Sequence, residues 1–275
     1  MTIIRLYGGV LNIMSLSYKK YLKSKRRYKL LVLFTQIILL VFIIGIWQVL
    51  ANKGIINTFI ASSPSKILDT IINLIKSNNL FHHIWVTLYE TLVSFILGTI
   101  IGIFIAIMLW FNKFIAKVVD PYLTIINSLP KVSLGPIIII WAGANVKSII
   151  IMALFMEIII TIITVYNGFN STDKNKINLL RSMGANRYQM LKYLILPNSY
   201  PTIISSLKIN ISMSLIGVTM GELLVSKEGI GYLIIYGSQV FNLDLVITGI
   251  FILAIVSAIM YYLVLYIEKK LIKNV

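Results

Sequence analysis

Among the ionisable side chains inside or at the edge of long apolar runs of this sequence are Glu90, Lys131, Glu157, Lys208 and Glu222. A charged group in hydrocarbon is retained where it pairs, faces a cavity or meets a polar ligand, so these residues are the first candidates for chemistry. Glu157 lies in the middle of "ALFMEIIIT"; Lys208 and Lys131 are available as counter-charges, and a cationic or hydrogen-bonding ligand is the alternative. Glu222 falls near the end of its run, as a gate, a packing carboxylate or an interfacial acid. Pro130 and Pro136 flank Lys131 and free backbone groups at depth, which favours a polar pathway there. Covalent and metal chemistry have little support. There is no cysteine, and His82 and His83 are adjacent with no third ligand at metal spacing, a polar interfacial pair. No G-x4-G-K-[ST] loop occurs, so the chain has no phosphate cradle of that type and is expected to bind no cofactor itself.

The elements that must position these residues follow from composition. With 58% hydrophobic and 12% charged residues, the chain belongs in a bilayer. Apolar stretches long enough to cross it fall near 30–52, 84–111, 118–142, 148–168, 199–224 and 243–267. The expected fold is all-α, a polytopic bundle of six transmembrane helices. Ten-residue alternating segments are absent, which argues against a membrane barrel. The net charge of +16 is distributed by topology. Of the 25 Lys and Arg, 18 fall on one side of the six spans and five on the other. That is the positive-inside asymmetry, and it predicts cytoplasmic N- and C-termini. Residues 1–29 form a basic cytoplasmic arm that meets anionic lipid rather than nucleic acid, and 30–275 form the membrane domain. The first span is expected to act as an uncleaved anchor.

Along the chain, Ser65 is placed to cap an amphipathic helix carrying Ile67, Leu68, Ile71, Ile72 and Ile75 on the outer surface. The turn at "FNKFIAK" forces a hairpin between the second and third spans, and the third is broken by Pro121, Pro130, Gly135 and Pro136. Between the fourth and fifth spans lies a polar cytoplasmic segment, residues 171–197. Ile177, Leu180 and Met183 share a helical face, and Gly184 suits the left-handed residue that closes a helix. Asn186 caps the next helix, with Gln189 three residues on reaching back. Tyr188, Leu191 and Ile195 form its apolar stripe, and Pro197 and Pro201 bend it into the fifth span.

The run from Gly184 through nine residues to Leu194-Ile195-Leu196-Pro197 resembles the cytoplasmic signature loop of permease subunits of ATP-binding-cassette importers, usually written E-A-A, three residues, G, nine residues, I-x-L-P. "LPKVSLGPIIIIWAG" (129–143) and "GELLVSKEGIGYLIIYGSQVFNLDLVITGI" (221–250) resemble the third span and the final link of the nitrate, sulfonate and taurine branch, which also includes carriers of thiamine-pyrimidine precursors. The resemblance covers most of the chain from about Ser62. Its leading triplet departs from the pattern: Asn178 stands where relatives carry the glutamate that meets the ATPase.

The resemblance implies a type I ABC importer permease fold in a bacterial cell membrane, with no enzyme activity in this chain. Two copies of a cytoplasmic ATPase would bind ATP and magnesium and grip the coupling segment at Asn178, Arg181, Met183, Gly184, Ala185, Asn186, Arg187, Tyr188 and Pro197. A second permease copy, as a homodimer, would complete the path, and an extracytoplasmic binding protein would deliver a small organic solute. Pro130, Lys131, Pro136, Glu157, Lys208 and Glu222 are the expected pathway or gate residues. Glu90 and Glu157 stand where relatives tend to carry arginine and proline, which favours a solute less acidic than a sulfonate. A secondary transporter working without ATP is the alternative, although the paired repeats of that class are not visible.

Overall fold

A backbone in hydrocarbon must satisfy its hydrogen bonds within its own segment, and the long apolar runs accordingly become helices. The computed structural model describes residues 2–77 and 79–272, and every regular element among them is helical. In chain order these are α1 (Thr2–Asn52), α2 (Thr58–Ala61), α3 (Pro64–Lys76), α4 (Leu80–Phe111), α5 (Lys113–Ser128), a 3-10 turn (Lys131–Leu134), α6 (Gly135–Ala142) and α7 (Val146–Asn170). There follow α8 (Lys174–Ser182), α9 (Arg187–Met190), a π-helical turn (Leu191–Ile195), α10 (Leu196–Val225), α11 (Ile230–Gln239) and α12 (Leu243–Ile272). Five stretches are long and apolar enough to cross a membrane, and a bent helix pair raises the number to as many as six.

Two compact units divide the chain, residues 1–66 and 67–275. The first is dominated by α1, which runs through the basic stretch without a break. From Leu30 to Phe42 its large apolar side chains stand exposed on every face, as suits a helix surrounded by lipid. In the same unit Ser63 Oγ, not that of Ser65, accepts the Lys66 N–H and caps α3. Pro64 occupies the first helical position, so the cap falls one residue before it. Ser65 instead bonds Gln48 through its backbone N–H at 3.0 Å.

In the second unit α7 packs between α4 and α10. Two small-residue pairs permit the approach. Gly98 and Gly102 of α4 lie against Glu157 and Thr161 of α7, while Gly217 and Gly221 of α10 lie against Ala153 and Ile149. Both pairs have the four-residue spacing that lets membrane helices meet backbone to backbone. A cluster of Leu80, Ile211, Leu215, Ile230, Val256 and Met260 holds α4, α10, α11 and α12 together. At the other end Ala106, Val165, Phe169, Leu191 and Ile195 join α4 and α7 to the π-helical turn.

Asn112 ends α4 and starts α5, its side chain accepting the N–H groups of Phe114 and Ile115 at 3.1 and 3.2 Å. The expected third span then divides into two pieces bent by 91°. Only Pro130 of the four expected breakers lies at the break. Pro121 is accommodated inside α5, and Gly135 and Pro136 open α6, where a missing N–H costs nothing.

Candidate functional site

The segment after α7 is built from successive caps. Asp173 accepts the Asn175 N–H at 2.8 Å and opens α8. At its end, the Ala185 and Gly184 N–H groups bond the carbonyls of Leu180 and Arg181, both at 3.0 Å, forming a Schellman turn. Gly184 has φ +82°, yet a side chain there would meet open space. The glycine is therefore required by backbone conformation and not by crowding. Asn186 and Gln189 form the expected capping box: Gln189 N–H donates to Asn186 Oδ1 at 2.9 Å, and Asn186 N–H to Gln189 Oε1 at 2.8 Å.

The stripe expected of Tyr188, Leu191 and Ile195 is buried only in part. Met190, Leu191 and Ile195 are buried, whereas Tyr188 is 64% exposed and Met183 74% exposed. Met183 sits at the turn itself, and Tyr188 falls in the first turn of the helical run, ahead of the residues that pack on α4 and α7, so it projects from the tip instead of joining the stripe. Asn178, Arg181 and Gly184 are likewise exposed, and Ala185 is half-buried. Arg187 donates from Nη1 to the Phe111 carbonyl at 2.6 Å, fastening the tip to the end of α4. Sequence patterns favour cations near helix C-termini, but this partner lies 76 residues away. Lys113, Lys174, Arg181 and Arg187 line a hollow of about 240 Å³ beside the turn.

Pro197 and Pro201 do not break the path into the membrane. Arg187–Val225 forms one long helical run, and its irregularity precedes the prolines: Leu196 N–H bonds the Leu191 carbonyl five residues back. Pro197 lacks an N–H, and the widened π turn takes up the register change ahead of it.

The intramembrane charges separate into different environments. Lys208 pairs with Glu268 at 3.0 Å, and Lys131 Nζ donates to Asn127 Oδ1 at 3.0 Å. Neither serves Glu157. That carboxylate, fully buried, accepts the Thr99 hydroxyl at 2.8 Å on one oxygen and the Ser214 hydroxyl at 2.5 Å on the other. Asn210 Nδ2 donates onward to Thr99 Oγ1 at 3.1 Å. Three helices, α4, α7 and α10, thus share one polar knot, and Gly98 leaves it space: a side chain there would strike the Glu157 carboxylate.

A second knot ties the link after α10 back to α4. Glu222, also fully buried, accepts Thr87 Oγ1–H and the Gly231 N–H, both at 2.6 Å. The Ile230 N–H donates to Thr87 Oγ1 at 2.8 Å, and the Gly229 N–H to His83 Nδ1 at 3.0 Å. Gly229 has φ +95°, and any side chain there would enter the Glu222 carboxylate. His83 is thereby a buried acceptor, while His82 makes an exposed ion pair with Glu228 at 3.3 Å. Glu90 is 1% exposed; no hydroxyl or N–H group among the described residues donates to it, and its carboxyl group meets that of Glu222. Pro130, Pro136 and Lys131 lie at the bend between α5 and α6, the prolines exposed and the lysine half-buried.

This helix arrangement is that of ABC importer permeases. A solved structure of the inward-facing MetNI methionine ABC transporter superposes with a TM-score of 0.59 at 21% identity, covering 70% of this chain and 94% of that one. Residues 98–273 match the binding-protein-dependent transport system inner membrane component family, and the chain belongs to it. A putative aliphatic sulfonates transport permease protein of Bacillus subtilis (strain 168) is 29% identical over 84% of each chain. A formylaminopyrimidine transport permease protein of Halalkalibacterium halodurans is 27% identical over 68% of this chain and 74% of its own length. The chain is thus a membrane-spanning permease subunit of a binding-protein-dependent ABC importer.

Proposed function

We propose that residues 171–197 are the surface through which a separate cytoplasmic ATPase drives this permease. The observation that carries the reading is an exposed apolar tip, Leu179, Met183 and Tyr188, held on a turn fixed by a Schellman motif and a capping box. Exposed apolar groups on a rigid cytoplasmic knob suit a protein groove, and a rigid end transmits rotation between packed bodies. Leu191 and Ile195 root the knob between α4 and α7, so a push at Tyr188 reaches two helices of the central layer.

On this reading ATP and magnesium are bound by the ATPase and not by this chain. Two permease copies form the path, two ATPase copies power it, and an external binding protein delivers the solute. The termini are cytoplasmic, by the distribution of Lys and Arg. The bend at Pro130–Pro136 and the half-buried Ser205, Lys208 and Ser212 of α10 give faces that suit a second copy or water better than lipid. The imported solute is a small organic molecule of the kind named for the relatives, an aliphatic sulfonate or an aminopyrimidine.

Co-expression with its ATPase should yield a complex in detergent. In proteoliposomes Gly184→Asp should lower ATP-driven uptake about tenfold or more while hydrolysis continues. Solute uptake indifferent to ATP would overturn the reading.

A further inference from the structure

The hollow of about 240 Å³ beside the 171–197 turn lies where the ends of α4 and α7 meet α8 and α9. Four cations line it: Lys113 at the start of α5, Lys174 and Arg181 of α8, and Arg187 of α9. No carboxylate among the described residues does. Arg187 commits Nη1 to the Phe111 carbonyl, while Lys113, Lys174 and Arg181 make no ion pair with a carboxylate among the described residues. The acid nearest in sequence, Asp173, accepts the Asn175 N–H as the cap of α8. The carbonyl ends of α4 and α7 answer part of the charge. Each counts for roughly half a negative charge, which leaves a surplus of about three positive charges around one small concavity.

The wall of this concavity is not ordinary solvated surface. Phe169 and Met190 are buried, Trp110 is half-buried, and Thr172 is 3% exposed. The Thr172 hydroxyl accepts from Asn198 Nδ2 at 3.1 Å, and its own O–H has no acceptor among the described residues. Like charges gathered against apolar groups repel one another, and an anion that accepts several hydrogen bonds relieves that cost. We infer that the hollow binds a phosphate group, with Lys113, Lys174, Arg181 and Arg187 as its cations and Thr172 as a hydroxyl donor. A guanidinium fork meets phosphate oxygens bidentately, and lysine adds point charge. The volume falls below the ~300–1,000 Å³ of sites for drug-sized ligands, so it suits a headgroup-sized ester and not a whole nucleotide. Two sources share this chemistry, the headgroup of an anionic phospholipid at the membrane surface and a free phosphate ester. An anion seated there links the start of α5 to α8 and α9, and so braces the exposed tip against the end of α4. That this bracing bears on transport rests on the ATPase reading of residues 171–197; the binding chemistry does not.

The test uses the full chain in two arms. In nanodiscs of phosphatidylcholine alone, equilibrium binding of radiolabelled glycerol phosphate is measured; in mixed phosphatidylcholine micelles, the chain is titrated with spin-labelled phosphatidylglycerol. Saturable binding is expected in at least one arm, and the arm that shows it identifies the source. Affinity should fall about tenfold in Lys113→Gln/Lys174→Gln. It should change by less than about twofold in Lys176→Gln/Lys192→Gln, which removes the same charge from residues outside the hollow. Absence of saturable binding in both arms would overturn the inference. So would equal affinity in wild type and both pairs, as binding by the basic N-terminal arm alone would give, or equal weakening in both pairs, the mark of diffuse attraction. An ATPase complex that weakens with the first pair while neither phosphate probe binds would overturn it too, because the hollow then meets an acidic protein surface. Loss of the phosphate site leaves the coupling reading standing, whereas Gly184→Asp without effect on ATP-driven uptake removes that reading and leaves the site.

Discussion

Glu157 and Glu90 are both buried carboxylates, yet they occupy opposite situations. Glu157 has a hydroxyl donor on each oxygen, supplied by α4 and α10. Glu90 has no hydroxyl or N–H donor: it meets a second acid, Glu222, at the wall of a cavity. Burial alone therefore does not assign a role to an intramembrane acid. What distinguishes them is the partner the protein supplies: two hydroxyls make Glu157 a fastening between three helices, whereas Glu90 is set against another acid, Glu222.

Substitutions at three positions test that contrast through stability, measured by denaturant titration in mixed micelles. The largest effect is expected at Gly229→Ala, which places a Cβ in the Glu222 carboxylate and forces a left-handed backbone on alanine. Loss of about 3 kcal/mol should follow as the second knot opens. Glu157→Ala comes next. It leaves the Thr99 and Ser214 hydroxyls without their acceptor and should cost about 2 kcal/mol, with Glu157→Gln recovering more than half. A Glu157→Ala chain as stable as wild type would show that the three-helix knot is dispensable. The smallest change belongs to Glu90→Gln. Because the Gln amide can donate to Glu222 in place of the carboxyl-to-carboxyl bond, stability should stay level or rise by up to about 1 kcal/mol, and a clear fall would show that the paired acids fasten helices as Glu157 does.

The 171–197 segment was readable residue by residue because its determinants are local. The Asn186–Gln189 box spans three positions, and the need for glycine at 184 arises from its own φ. The exposure of Tyr188 and Met183 was not readable from spacing alone, because both lie at helix ends next to the turn, beyond the residues that pack on α4 and α7. The two glycine pairs were visible at four-residue spacing but carried no indication of the helix they would meet.

The partners of the buried charges were hidden for another reason. Thr99, Glu157 and Ser214 are separated by more than fifty residues each, and hydroxyls scattered through apolar runs do not announce which acid they will face. Opposite charge made Lys208 and Lys131 the evident partners for Glu157, while Glu268 and Asn127 lay nearer in space. By itself the sequence determined that the chain crosses a membrane, where its helices run and which local residues cap the cytoplasmic knob. Each of those follows from hydropathy or from bonds reaching a few residues. Only the tertiary structure decided which carboxylates are satisfied and which one faces a cavity, because that depends on how three helices present side chains to one another across the bundle.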